Sequence, residues 1–89
     1  MEMNKMEKME KIWKILMDTR LEIIKAKFRD SEYAETYALN YNQAYQQYGV
    51  YGLQAQILYV QNNLRYWRGE EARTVKLELK KAAKMLETL

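Results

Sequence analysis

The chain has no cysteine, no histidine and no proline, and only three glycines among its 89 residues. Each absence excludes something. Without cysteine there is no disulfide and no thiolate metal site. Without histidine the commonest metal ligand and the commonest general base are missing together. Without proline no helix interior is interrupted by a lost N–H. No apolar run approaches the length of a membrane span. No single sign of charge dominates, since 15 Lys and Arg face 12 Asp and Glu, for a net +3. That balance permits an anionic partner without demanding one. The N-terminal stretch "MEMNKMEKMEKIWK" mixes acids and bases, unlike a signal peptide. The expected location is therefore the cytoplasm, with no membrane contact.

What is present favours helix. Leu, Ala, Lys, Glu, Gln and Met dominate, and apolar residues recur at helical spacing. A first helix is expected from about Glu2 to Arg29. Its apolar arc holds Met6, Met9, Trp13, Leu16, Met17, Ile23, Ile24 and Phe28. Asp30-Ser31 offers N-cap chemistry for a second helix, Glu32 to Tyr48. There Tyr33, Tyr37, Tyr41 and Tyr45 step by four residues and sweep about 120° of the wheel, with Tyr48 inside the arc. Interleaved with Ala34, Ala38 and Ala44, this ladder reads as a packing face. Gly49 suits a left-handed C′ position closed by Val50.

A third helix is expected from Leu53 to Arg68, with Leu53, Ile57, Val60, Leu64 and Trp67 as its core stripe. Gly69 ends it. Glu70 and Glu71 open a fourth helix with acid at its positive end, and Ala72, Val75, Leu79, Ala82, Ala83, Leu86 and Leu89 form its core face. The expected fold is all-α: one domain over residues 1–89, a compact bundle of about four helices with a long N-terminal helix. At 1.5 Å per residue that helix would outreach the others by roughly 10 Å or more. Met3, Met6, Met9 and Trp13 would then overhang, and a second copy of the chain is the simplest cover. A homo-oligomer is expected on that ground, helped by the marginal stability of so small a domain.

For chemistry, the acids near Asp30, Glu32 and Glu35, and at Glu70 and Glu71, sit where helix starts need them. No glycine-rich phosphate loop occurs. The expectation is a protein without catalysis, cofactor or metal. Its most distinctive feature is a window from Thr36 to Leu64 with no charged residue, ten Asn or Gln and six Tyr. Protein interfaces are depleted of Lys, Glu and Asp and enriched in Tyr. The ladder is assigned to the core. Contact is assigned to the aromatic and polar residues off the core stripes, namely Tyr51, Tyr59, Asn62, Arg65, Tyr66 and Arg68. The leading partner is another protein. A small anionic nucleotide, stacked on tyrosine and held by Arg65 or Arg68, is the second candidate. Nucleic acid ranks third, because the basic residues are interleaved with acids.

The stretch "ILYVQNNLRYWRGEEARTVKLELKKA", Ile57 to Ala82, resembles a segment of small uncharacterised helical proteins encoded by phages and mobile elements of Gram-positive bacteria. Tyr66-Trp67-Arg68-Gly69-Glu70-Glu71-Ala72, followed by Val75-Lys76, carries the resemblance. It covers less than a third of the chain, stops short of the tyrosine-rich half, and brings no assigned activity. It implies a phage accessory protein, of a kind that often acts stoichiometrically on host machinery, immune systems included, in the host cytoplasm.

Overall fold

The computed structural model describes residues 3–89. Four helices follow in order: α1 Lys5–Lys25, α2 Ser31–Leu39, α3 Tyr41–Asn62 and α4 Glu70–Glu87. Among the described residues there is no strand. Helices adjacent in sequence pack on one another and α1 closes on α4, so the four form a ring around one apolar core. The shortest Cα dimension, 17 Å, is that of two helix layers.

The expected start of the first helix at Glu2 lies outside the described residues, and the helix itself begins at Lys5. Asn4 determines this. Its side chain accepts the Glu7 N–H at 2.8 Å, and Glu7 reaches back to the Asn4 N–H, a reciprocal capping box. The helix stops at Lys25 rather than Arg29, because Ala26 is extended. Phe28 then turns inward and stacks on Trp67, with ring centroids 5.0 Å apart and planes 5° from parallel. Asp30 precedes α2 as expected, but it does not cap through its side chain. Its backbone is left-handed at φ 72°, and its carbonyl, not its carboxylate, accepts from Tyr33 and Ala34.

The shorter α1 removes the overhang. It has 21 residues against 18 in α4, and Lys8 Nζ donates to Thr88 Oγ1 at 3.3 Å, level with the end of α4. Met9 and Trp13 are half-buried within the chain itself. The Trp13 ring meets Tyr45 edge-on at 5.6 Å. Met3 and Met6 remain exposed. The buried face of α1 is centred on Ile12, Leu16, Thr19 and Ile23, with Ile15 beside them. Thr19 is tolerated there because its hydroxyl donates to the Ile15 carbonyl at 2.7 Å.

The tyrosine ladder is the largest departure from expectation. Asn40 leaves helical geometry at φ −109°, ψ 18° and separates α2 from α3. Tyr33 and Tyr37 therefore follow a different axis from Tyr41 and Tyr45. Tyr41 is fully buried, Tyr37 and Tyr45 are half-buried, and Tyr33 and Tyr48 are exposed. The Asn40 break leaves carbonyls that side chains satisfy. Asn40 Nδ2 donates to Thr36 O at 2.7 Å, and Gln56 Nε2 donates to Tyr37 O at 2.9 Å.

The expected core stripes of the third and fourth helices are buried at Leu53, Ile57, Val60, Leu64 and Trp67, then at Ala72, Val75, Leu79, Ala82 and Leu86, while Ala83 and Leu89 of the fourth stripe are half-buried. Helical geometry in α3 ends at Asn62, six residues before Arg68. Asn63 Nδ2 takes the Tyr59 carbonyl at 2.8 Å, and a turn carries Leu64 and Trp67 inward. Lys76 Nζ secures that turn through Trp67 O at 2.7 Å.

Candidate functional site

The sharpest local feature is an elbow within α3. Gly49 has φ 67° and ψ −148°, a backbone geometry that only glycine adopts without strain. It is not the left-handed C′ geometry expected for a helix end, and helix resumes directly after it. The arm over residues 50–62 folds against the arm over residues 41–48 so closely that a Cβ on Gly52 would stand 2.4 Å from Ala44 O and 2.7 Å from Tyr48 Cβ. Gly49 supplies the bend, and Gly52 the close approach.

In the crook of this elbow lies a groove of about 340 Å³. Tyr48, Tyr51 and Tyr59 stand on its walls, with Asn40, Gln43, Gln47 and Gln56 between them and Ala44, Gly52 and Ala55 beneath. None of these carries a charge. Tyr51 is 79% exposed and Tyr48 70%. Tyr59 is steadied by Tyr37, at 5.3 Å between ring centroids, and Gln56 by its bond to Tyr37 O. The groove offers aromatic faces and amide donors and acceptors.

The six contact residues expected from sequence fall in two places. Tyr51 and Tyr59 line the groove. Asn62 and Arg65 share a shallow hollow with Gln61 further along the chain. Tyr66 lies at the corner between α3 and α4, where Arg29 sits 4.5 Å and Arg65 5.9 Å from its ring centroid. Arg68 is exposed just before Gly69. Sequence reasoning missed Tyr48, placing it in the core ladder, and put Gln43 and Gln47 on the far side of that helix. Gly49 and Gly52, three residues apart, were the available signal, since such a pair permits both a bend and a close crossing.

Tyr41, between the lining residues Asn40 and Gln43, differs from every other tyrosine. Its hydroxyl is buried without a hydrogen-bond partner among the described residues. Burial pushes its phenol far above the ordinary value near 10, and the Arg20 charge draws it back only in part. An orphaned buried hydroxyl costs about 1–3 kcal/mol.

Among the described residues, no three acidic side chains gather as metal ligands would, and no helix is long and apolar enough to cross a membrane. Comparison with family models, characterised proteins and solved structures returns no match to this chain.

Proposed function

We propose that this chain is a non-enzymatic binding protein that acts by docking stoichiometrically on another protein through the elbow of α3. One observation carries this: an open groove walled by Tyr48, Tyr51 and Tyr59 and free of charge throughout. Tyrosine brings large contact area at low conformational cost, and it is enriched where binding energy concentrates. Asn and Gln add hydrogen bonds without the desolvation cost of a charge. Asn62, Arg65, Tyr66 and Arg68 extend the contact towards the corner. The resemblance over Ile57 to Ala82 points to a phage-encoded inhibitor and a host target, a defence component among the candidates.

A small anionic nucleotide is the second candidate ligand. Two guanidiniums, Arg29 and Arg65, gather on the Tyr66 ring, and neither forms an ion pair with a carboxylate among the described residues. Arg29 already lies on the ring a base would stack against, which favours the protein partner. A nucleic-acid ligand is the third candidate and has less support.

The test is capture from host lysate with wild-type protein and with the Tyr51→Ala, Tyr59→Ala double variant. A specific protein retained by the wild type and lost by a folded double variant is expected. Equal capture by both, or a rise in melting temperature with a nucleotide panel and no protein retained, would sink the docking assignment.

A further inference from the structure

The side of the ring away from the elbow carries an inference that goes beyond the docking function and stands independently of it. Helices α1 and α4 run antiparallel there. Lys8 meets Thr88 at one end, and Phe28, just past α1, stacks on Trp67, just before α4, at the other. A groove of about 330 Å³ lies between the two helices. Lys11 and Lys81 line one end of it. Glu22, 3.9 Å from Lys25 Nζ, lines the other, and the surface continues there into a hollow bounded by Glu22, Glu70 and Glu71. In the middle Lys14 and Asp18 pair at 3.1 Å, and Glu78 adds a further acid. The face is thus graded from basic to acidic along its length.

Such a grading is complementary to itself. A two-fold contact brings one patch onto the same patch of a second copy. With the axis perpendicular to the groove at its middle, the Lys11 and Lys81 end of each copy lies over the Glu22 and Glu71 end of the other. Both ends then gain opposite charge, whereas a parallel approach would set lysine on lysine. Apolar contact is available on the same helices. Leu77 is 68% exposed and Leu21 56%. Leu77 follows Thr74 and Leu21 follows Asp18 by three residues, which keeps each leucine beside the groove. A lone exposed leucine is ordinary, but these two border one graded surface.

We propose that the α1–α4 face is the contact through which two copies of this chain pair antiparallel. The pair is back to back. Its two elbow grooves face outward and can engage two partner sites at once, a bivalent arrangement that raises apparent affinity without any new contact.

Sedimentation equilibrium of the full chain tests this with two surface variants. Lys11→Glu with Lys81→Glu turns the basic end acidic, so that both ends of the face carry negative charge, and Glu22→Lys with Glu71→Lys turns the acidic end net basic, so that both ends carry positive charge. Circular dichroism checks that each variant retains its helices. The wild type is expected to dimerise at low salt. Its dimer should weaken about tenfold or more as salt rises from about 0.1 M to about 1 M, where the screening length falls from about 10 Å to about 3 Å. Each variant alone should be monomeric, and an equimolar mixture should form a heterodimer. A wild type that stays monomeric at every attainable concentration overturns the proposal. So does a folded variant that self-associates as the wild type does, because the contact then lies on another face.

Discussion

The ring has two sides with similar interiors and opposite exteriors. On one side α1 and α4 bury Ile, Leu and Val at helical spacing and show water a surface of mixed charge. On the other, α2 and α3 bury alanine, one tyrosine, Leu53, Ile57 and Val60, and from Thr36 onward show only Tyr, Asn, Gln and small or aliphatic residues. Packing a core does not require the second kind of exterior, since lysine and glutamate would serve the fold equally well and solubility better. The contrast teaches that the needs of folding alone do not account for the neutral exterior. It also shows that α3, the element with the least regular backbone, carries the most distinctive outer surface.

The contrast is broken most directly within α3 itself. Tyr41→Ala removes a fully buried ring and should cost about 3–5 kcal/mol, most of what a domain this small possesses. Tyr48→Ala, two turns away on the exposed wall, should stay within about 0.5 kcal/mol. Urea denaturation of both variants measures the difference, and equal losses would show that the elbow tyrosine is structural.

Gly52→Ala is next in size. The added methyl meets backbone at Ala44 as well as the Tyr48 Cβ, so the two arms must part. A loss of about 1–3 kcal/mol is expected, with loss of partner binding as the groove opens. An unchanged melting temperature with intact binding would show that the close crossing is dispensable.

The pH dependence of Tyr41 follows from its burial. The unfolded phenol ionises near pH 10, while the folded one resists ionisation to higher pH. Above about pH 10 the unfolded state therefore holds fewer protons than the native state, and stability falls as pH rises. Below that pH the contribution is fully present. Tyr41→Phe should abolish this share of the alkaline loss. At neutral pH it should be neutral or stabilising by about 1 kcal/mol, because the orphaned hydroxyl is gone. Denaturation curves across the alkaline range decide this, and a Phe variant with an unchanged alkaline decline would count against it.

The smallest effect belongs to the charged side. Lys14 and Asp18 form an ion pair whose side chains are mostly exposed. Lys14→Ala should change the stability of the monomer by only about 0.2–0.5 kcal/mol. A loss several times larger, measured in dilute solution, would mean that this exterior supports the fold directly.

Much of the fold was legible in the sequence because its signals are local. Helix formers without proline, the Leu53-to-Val60 and Ala72-to-Leu86 stripes and the acid-first start of α4 all follow from a 3.6-residue period and the helix dipole, whereas α3 ends at Asn62 and not at Gly69. The uncharged window from Thr36 to Leu64 contains every residue that lines the elbow groove. The limits of α1, the division of the ladder and the groove itself were not legible, because each depends on a partner distant in sequence. Phe28 leaves α1 to meet Trp67, and Gln56 accommodates the break at Asn40 by taking the Tyr37 carbonyl.

The sequence by itself determined that this is a helical protein, which stripes of α3 and α4 turn inward, and where charge is withheld. Only the tertiary structure decided which tyrosines are buried. A period-four ladder specifies a single face only while its helix stays straight. The break at Asn40 re-aims the axis between Tyr37 and Tyr41, which enters the core, and the bend at Gly49 brings Tyr51 and Tyr59 onto one open groove with Tyr48.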